Sequence, residues 1–112
     1  MPARAYVREP VPVSLIVRNT ALETIELYLF GRTPTLDVVV TSEDGETLWH
    51  KLDDDAIPAI LQVYALRSME QIEQWTVWHP RDEVAGRCTV AGKLLTEGEP
   101  IEATSVVTVT RR

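Results

Sequence analysis

The sequence predicts an all-β protein, an antiparallel β-sandwich of seven or eight short strands. Apolar and polar residues alternate over short runs, the signature of half-buried strands. Turn signals recur about every eight to twelve residues, and no long segment carries a helical period. The chain has 112 residues, a length that fits one domain able to bury roughly two-thirds of its unfolded surface. Residues 1–10 read as an extended N-terminal lead-in, and residues 11–112 as a single sandwich domain.

The elements follow in order. Pro10 and Pro12 cannot donate to a central ladder, so the chain enters through a loop or an edge. Val11, Val13, Leu15 and Val17 alternate with Pro12, Ser14, Ile16 and Arg18 as a first strand, closed by Asn19-Thr20. Thr24 to Phe30 is a second, with Ile25, Leu27 and Leu29 on one face.

The clearest local signal is Thr35 to Trp49, where Leu36, Val38 and Val40 alternate up to an Asp44-Gly45 turn. A two-residue turn would set Glu43 against Glu46, an unfavourable like-charge pair, with Trp49 beside Val40 and Lys51 beside Val38. A three-residue loop with Gly45 left-handed pairs Ser42 with Glu46, Val40 with Leu48 and Leu36 with Leu52. Apolar then meets apolar twice, so this register is the expected one, with Trp49 and Val39 on the opposite face.

Lys51 to Pro58 reads as a loop, because adjacent aspartates repel and Pro58 disfavours helix at Ile57. Ile60 to Leu66 suits a short helix or a strand, and its β surroundings favour the strand. Gln71 to Trp78 is a strand with neither face cleanly apolar. Arg87 to Leu95 and Ile101 to Thr110 complete the set, joined by a turn at Thr96 to Pro100.

Charge and composition exclude several function classes. The net charge of −6 opposes binding to phosphate backbones. The single cysteine, Cys88, leaves no internal disulfide, which fits a reducing compartment. No run approaches the 18 or so apolar residues of a membrane helix. MPARAYVREPVPV lacks a signal-peptide core. The chain therefore reads as soluble and cytoplasmic.

Catalytic chemistry finds no constellation. Cys88 with His50 or His79 is the one conceivable thiol–imidazole pair, and Cys88 lies on the apolar face of its strand, where an inert buried thiol is expected. Neither histidine has a second metal ligand at a recognisable spacing, and Asp53-Asp54-Asp55 lacks a calcium-loop pattern, so no metal or cofactor is expected. The aspartates read as a solvated acidic loop that could contact a basic partner. Trp75 and Trp78, three apart on one strand, face opposite sides, so at least one of Trp49, Trp75 and Trp78 must lie outside the core. An exposed tryptophan beside an acidic loop is a binding anchor. The candidate contact residues are Trp49, Asp53, Asp54, Asp55, Ile57, Pro58, Ile60 and Trp78.

The antibody-type pair of cysteines around a tryptophan is absent. In Asp82 to Val90 (DEVAGRCTV) a polar corner leads into a strand, and a thiol stands where many sandwiches use a tyrosine hydroxyl. The order of features is nonetheless specific. It runs Leu15-Ile16-Val17-Arg18-Asn19, then Ile25 to Phe30 with Gly31. Leu36-Asp37-Val38-Val39-Val40 leads to Asp44-Gly45 and Leu48-Trp49. Glu70 opens the next strand and Trp78 closes it, and Gly86-x-x-Thr89-Val90 begins the following one. Over about residues 13–110 this order resembles the BsuPI-type intracellular proteinase inhibitor family. Two positions depart from the family pattern: Ser68-Met69-Glu70 replaces its usual Pro-Gly-Glu, and Cys88 replaces an aromatic.

The resemblance implies an immunoglobulin-like sandwich in the bacterial cytoplasm that binds and inhibits an intracellular serine proteinase. The expected function is thus non-catalytic protein binding through a loop or an edge strand, with Lys51 to Leu61 as the segment presented to the partner. A general interaction module, monomeric or dimerised through an edge such as Val11 to Asn19, is the alternative.

Overall fold

The computed structural model describes residues 4–31, 33–52, 59–81 and 84–111. Among them lie nine strands: β1 (Arg4–Tyr6), β2 (Val11–Arg18), β3 (Ile25–Phe30), β4 (Leu36–Ser42), β5 (Thr47–His50), β6 (Leu61–Leu66), β7 (Gln71–Trp78), β8 (Gly86–Leu94) and β9 (Ile101–Thr110). Eight correspond to the runs that the sequence predicts as strands. The ninth, β1, is three residues long and pairs parallel with β9.

One layer is the five-stranded sheet β1-β9-β8-β4-β5. β4 sits inside it because its inward residues Leu36, Val38 and Val40 are all buried apolar groups. The other layer is built from two antiparallel pairs, β2 with β7 and β3 with β6. Val11, Val13 and Leu15 of β2 and Leu29 of β3 join Val38, Val90, Val107 and Trp78 in one core cluster. The two layers are also stitched at an end: Glu97 donates its N–H to Tyr28 O, and Phe30 to Leu95 O.

The second layer is in effect one long ribbon with a joint. Pairing runs from Val11↔Trp78 to Arg18↔Gln71, stops, and resumes from Ile25↔Leu66 to Phe30↔Leu61. The strand from β2 to β3 carries two residues more than its partner across this gap. Asn19, buried, spans it. Its N–H donates to Glu70 O at 3.0 Å, and its carbonyl accepts from Met69 N at 2.7 Å. Its Nδ2 donates to the carbonyls of Glu23 and Leu66, both at 2.8 Å, and its Oδ1 accepts from Ala21 N at 2.9 Å. One side-chain amide thus replaces the ladder bonds that the break removes, which an apolar residue could not do.

The β4–β5 hairpin departs from the expected register. Ser42 N bonds Glu46 O and Thr41 pairs with Thr47, as a three-residue loop requires, with Gly45 left-handed at φ 84°. Beyond a bulge between Val40 and Thr41 the register shifts, so Val40 pairs with Trp49 rather than Leu48, and Lys51 N reaches Val38 O. The bulge lets Leu48 and Trp49 both pack against the core, so Trp49 is not on the face opposite Val40. The Glu43–Glu46 clash is avoided at the turn, and the larger side chain still packs against the core.

Two outcomes check the joint. Asn19→Ala, which removes three side-chain hydrogen bonds to the backbone, is expected to destabilise by about 2–3 kcal/mol in urea unfolding. Met69, exposed and at φ 66°, holds a backbone shape that L-residues resist; Met69→Gly is expected to raise stability by up to about 1 kcal/mol.

Candidate functional site

Hairpin β4–β5 leads into the connection expected to meet a partner. Its start is anchored by Asp37, a carboxylate only 7% exposed although it points away from the apolar core. His50 Nε2 lies 2.8 Å from Asp37 Oδ2, and Leu52 N donates to Asp37 Oδ1 at 3.3 Å. On the far side of β4, Lys93 of β8 is the cross-strand neighbour of Asp37. The carboxylate is therefore compensated, and it fixes the direction in which the chain leaves β5.

Three of the expected contact residues are described, and they differ in exposure. Asp53, Asp54, Asp55, Ile57 and Pro58 lie outside the described residues. Ile60 is exposed. Trp49 is half-buried against the core. Trp78 corrects the expectation outright: it pairs with Val11 and is 3% exposed, a core residue with no surface to offer a partner. The register with β2 decides this, because it turns Trp78 inward and its neighbour three residues back outward. Trp75 is the exposed tryptophan, at 67%.

Cys88 and His50 form no catalytic pair. Cys88 belongs to the inward face of β8 with Val90, whereas His50 sits over Asp37 on the outward face of the same sheet. A cleft of about 210 Å³ runs past Cys88, lined by Glu43, Asp44 and Glu46. Burial and the charge of Glu43 push the thiol above its ordinary value of 9.0, so it stays protonated and weakly nucleophilic. Among the described residues, no three His, Cys, Asp or Glu side chains cluster as a metal site would require.

The feature that sequence reasoning missed is the open edge of strand β6, LQVYAL. Among the described residues it pairs with β3 alone. The hydrogen bond from Gly31 N to Ile60 O marks residue 60 as facing β3. By antiparallel alternation Gln62, Tyr64 and Leu66 face β3 too, and the N–H and C=O groups of Leu61, Val63 and Ala65 point to the open edge. The bonds of Tyr28 and Phe30 to the 95–97 segment, on the other side of β3, fit the same alternation.

The outward side chains along this edge form an apolar stripe. Leu61 (40%), Val63 (56%) and Tyr28 (44%) are exposed, and Val63 lies directly opposite Tyr28. Beyond the stripe a shallow depression of about 480 Å³ is lined by Glu26, Tyr28, Glu97 and Glu99. Tyr28 Oη donates to Glu26 Oε2 at 3.2 Å. That bond, the Glu26 charge and Glu97 raise the phenol above its ordinary 10.0, which reports the negative field along this flank.

The fold is that of an immunoglobulin-like antiparallel β-sandwich. Among solved structures the chain is similar to the CARDB domain of the PF1109 protein from Pyrococcus furiosus, crystallised in complex with di-metal ions. The identity is 16% and the TM-score 0.50, over 97% of this chain and 81% of that one. No protein-family model matches the chain, and no curated protein matches it.

The buried thiol is expected to resist iodoacetamide at neutral pH in the native protein and to react at an ordinary thiol rate in urea. Because its proton is held more tightly in the folded state, stability is expected to be unaffected below pH 8 or so and to fall as pH rises past the unfolded thiol's value. Alkylation at equal rates in both states would show that Cys88 is accessible.

Proposed function

We propose that this chain is a non-catalytic protein-binding domain that holds an extended segment of a partner at the β6 edge and the Lys51 to Leu61 connection leading into it. The observation that carries the proposal is β6 itself. Edge strands are normally blunted by charge, proline or short length. Here β2 contains Pro12 and Arg18, β7 contains Glu73, β5 has four residues and β1 three. β6 has six residues, no charge and no proline. Backbone pairing supplies affinity in such a mode, and pockets for alternate side chains supply selectivity.

The finer part of the proposal is that the partner is an intracellular serine proteinase and that binding inhibits it. The motif order resembling the BsuPI-type inhibitors supports this part. An inhibitor of this kind presents an extended segment to the active-site cleft, and the Lys51 to Leu61 connection is continuous with the open edge. A general interaction role is the second reading, favoured by exposed Ile16 and Trp75 on the outer face of the β2–β7 pair.

Titration against a panel of subtilisin-like and other serine proteinases tests the proposal. Stoichiometric inhibition of at least one is expected, lost when residues 53–58 are replaced by a short Gly-Ser loop. Inhibition that survives the replacement would remove the connection from the site. No inhibition across the panel, with binding of other proteins at β6, would leave the general interaction reading.

A further inference from the structure

Beyond the open edge, the surface around β6 constrains what kind of segment it can take. Resting on the edge-binding reading above, we infer that the β6 edge selects a partner strand with the pattern basic–x–apolar–x–apolar, its basic residue placed beside Ala65.

Residues directly opposite one another on neighbouring strands share a face. A strand added to β6 therefore sets three of its alternate side chains beside Leu61, Val63 and Ala65, on the exposed face. Beside Leu61 and Val63 it meets apolar surface that continues across β3 to Phe30 and Tyr28. Apolar side chains at those two positions extend the stripe and remove it from water. Beside Ala65 the situation changes. The residue opposite Ala65 on β3 is Glu26. Ala65 has only a methyl group, so nothing tall stands between the added strand and the Glu26 carboxylate. Two strand spacings separate an added strand from β3, about 10 Å. A Lys or Arg side chain can cross the methyl and meet the reaching Glu26, and a short or apolar one cannot.

The charge around this spot favours the same occupant. Glu26 has Tyr28 for a hydroxyl donor, and Glu97 and Glu99 line the depression behind it. A cation over Tyr28 gains from the ring face as well as from the carboxylates. A second copy of this chain is the poorer occupant. It carries the same net charge of −6, and its β6 has no basic residue to set beside Ala65.

The test uses the full chain and short fluorescein-labelled peptides whose central pattern is Lys-Thr-Val-Thr-Val or its reverse order, with Glu-Thr-Val-Thr-Val controls. Fluorescence anisotropy is expected to show the Lys peptides binding about threefold to tenfold more tightly than the Glu peptides at low salt. Glu26→Lys is expected to invert that order. N-methylation of the peptide amides that face β6 is expected to abolish binding, and N-methylation of the intervening amides to spare it. Val63→Pro removes one edge donor without taking a bond from β3, and is expected to abolish binding too.

Equal binding of Lys and Glu peptides, with N-methylation still abolishing it, would overturn the basic-strand inference and leave edge binding standing. Binding indifferent to N-methylation, or none at all, would overturn both. Self-association of the chain that Val63→Pro abolishes would make a second copy the occupant and overturn the inference.

Discussion

The architecture of the second layer depends on a single buried amide. Without Asn19 the β2–β3 strand would have to stay in register with β6–β7, and a continuous ribbon of that length would leave the five-stranded sheet as it twisted. The joint lets the ribbon restart with a two-residue offset. Leu15 and Leu29 then both turn inward from either side of the break, and β3 reaches the 95–97 segment. The amide achieves this because it offers two donors and an acceptor from one short side chain, aimed at two carbonyls and an N–H around the break. The positive φ of Met69 belongs to the same joint, lying between the Met69 N–H that donates to the Asn19 carbonyl and the Glu70 carbonyl that accepts from Asn19 N.

Most strands were legible in the sequence because burial on one face writes period-2 alternation directly into the residues. Leu36 to Val40 and Val11 to Val17 are the clearest cases. What alternation does not carry is anything set by a distant partner. Asn19 looks like an ordinary strand end until Glu70 and Leu66 are brought to it. The β4–β5 hairpin offered two registers, each with a cost, and the chain uses both by inserting a bulge between them. Weighing registers as wholes could not find that solution. For Gln71 to Trp78 the two faces are equally mixed, so the pairing with β2 alone chooses Trp78 for the core and Trp75 for the surface. β1 is too short, and too near Pro10, to announce itself.

The candidate site was half legible for a related reason. The acidic connection and the tryptophans stand out by composition, and composition drew attention to them. β6 does not stand out. Its residues also suit a short helix, and its importance lies in which side of it is left unpaired, a property of topology. An uncharged edge normally invites aggregation, and this one lies where acidic groups crowd nearby. Glu26, Glu97 and Glu99 sit across the ribbon from it, and the net charge of the chain is −6. Like charge works against pairing between copies at such an edge and does not oppose a basic strand.

The parallel pairing of β1 with β9 has a mechanical side. Arg4 lies beside Thr108 and Tyr6 beside Thr110, and Val7 N adds a bond to Thr110 O at 3.0 Å. The two strands run in the same direction, so tension drawing the two ends of the chain apart pulls them along their length in opposite senses. The load falls across all the bonds of the patch together, in shear. Had the strands been antiparallel, the same tension would have peeled the bonds one at a time. Three residues of β1 therefore act as a clamp against stretching, out of proportion to what they add at rest.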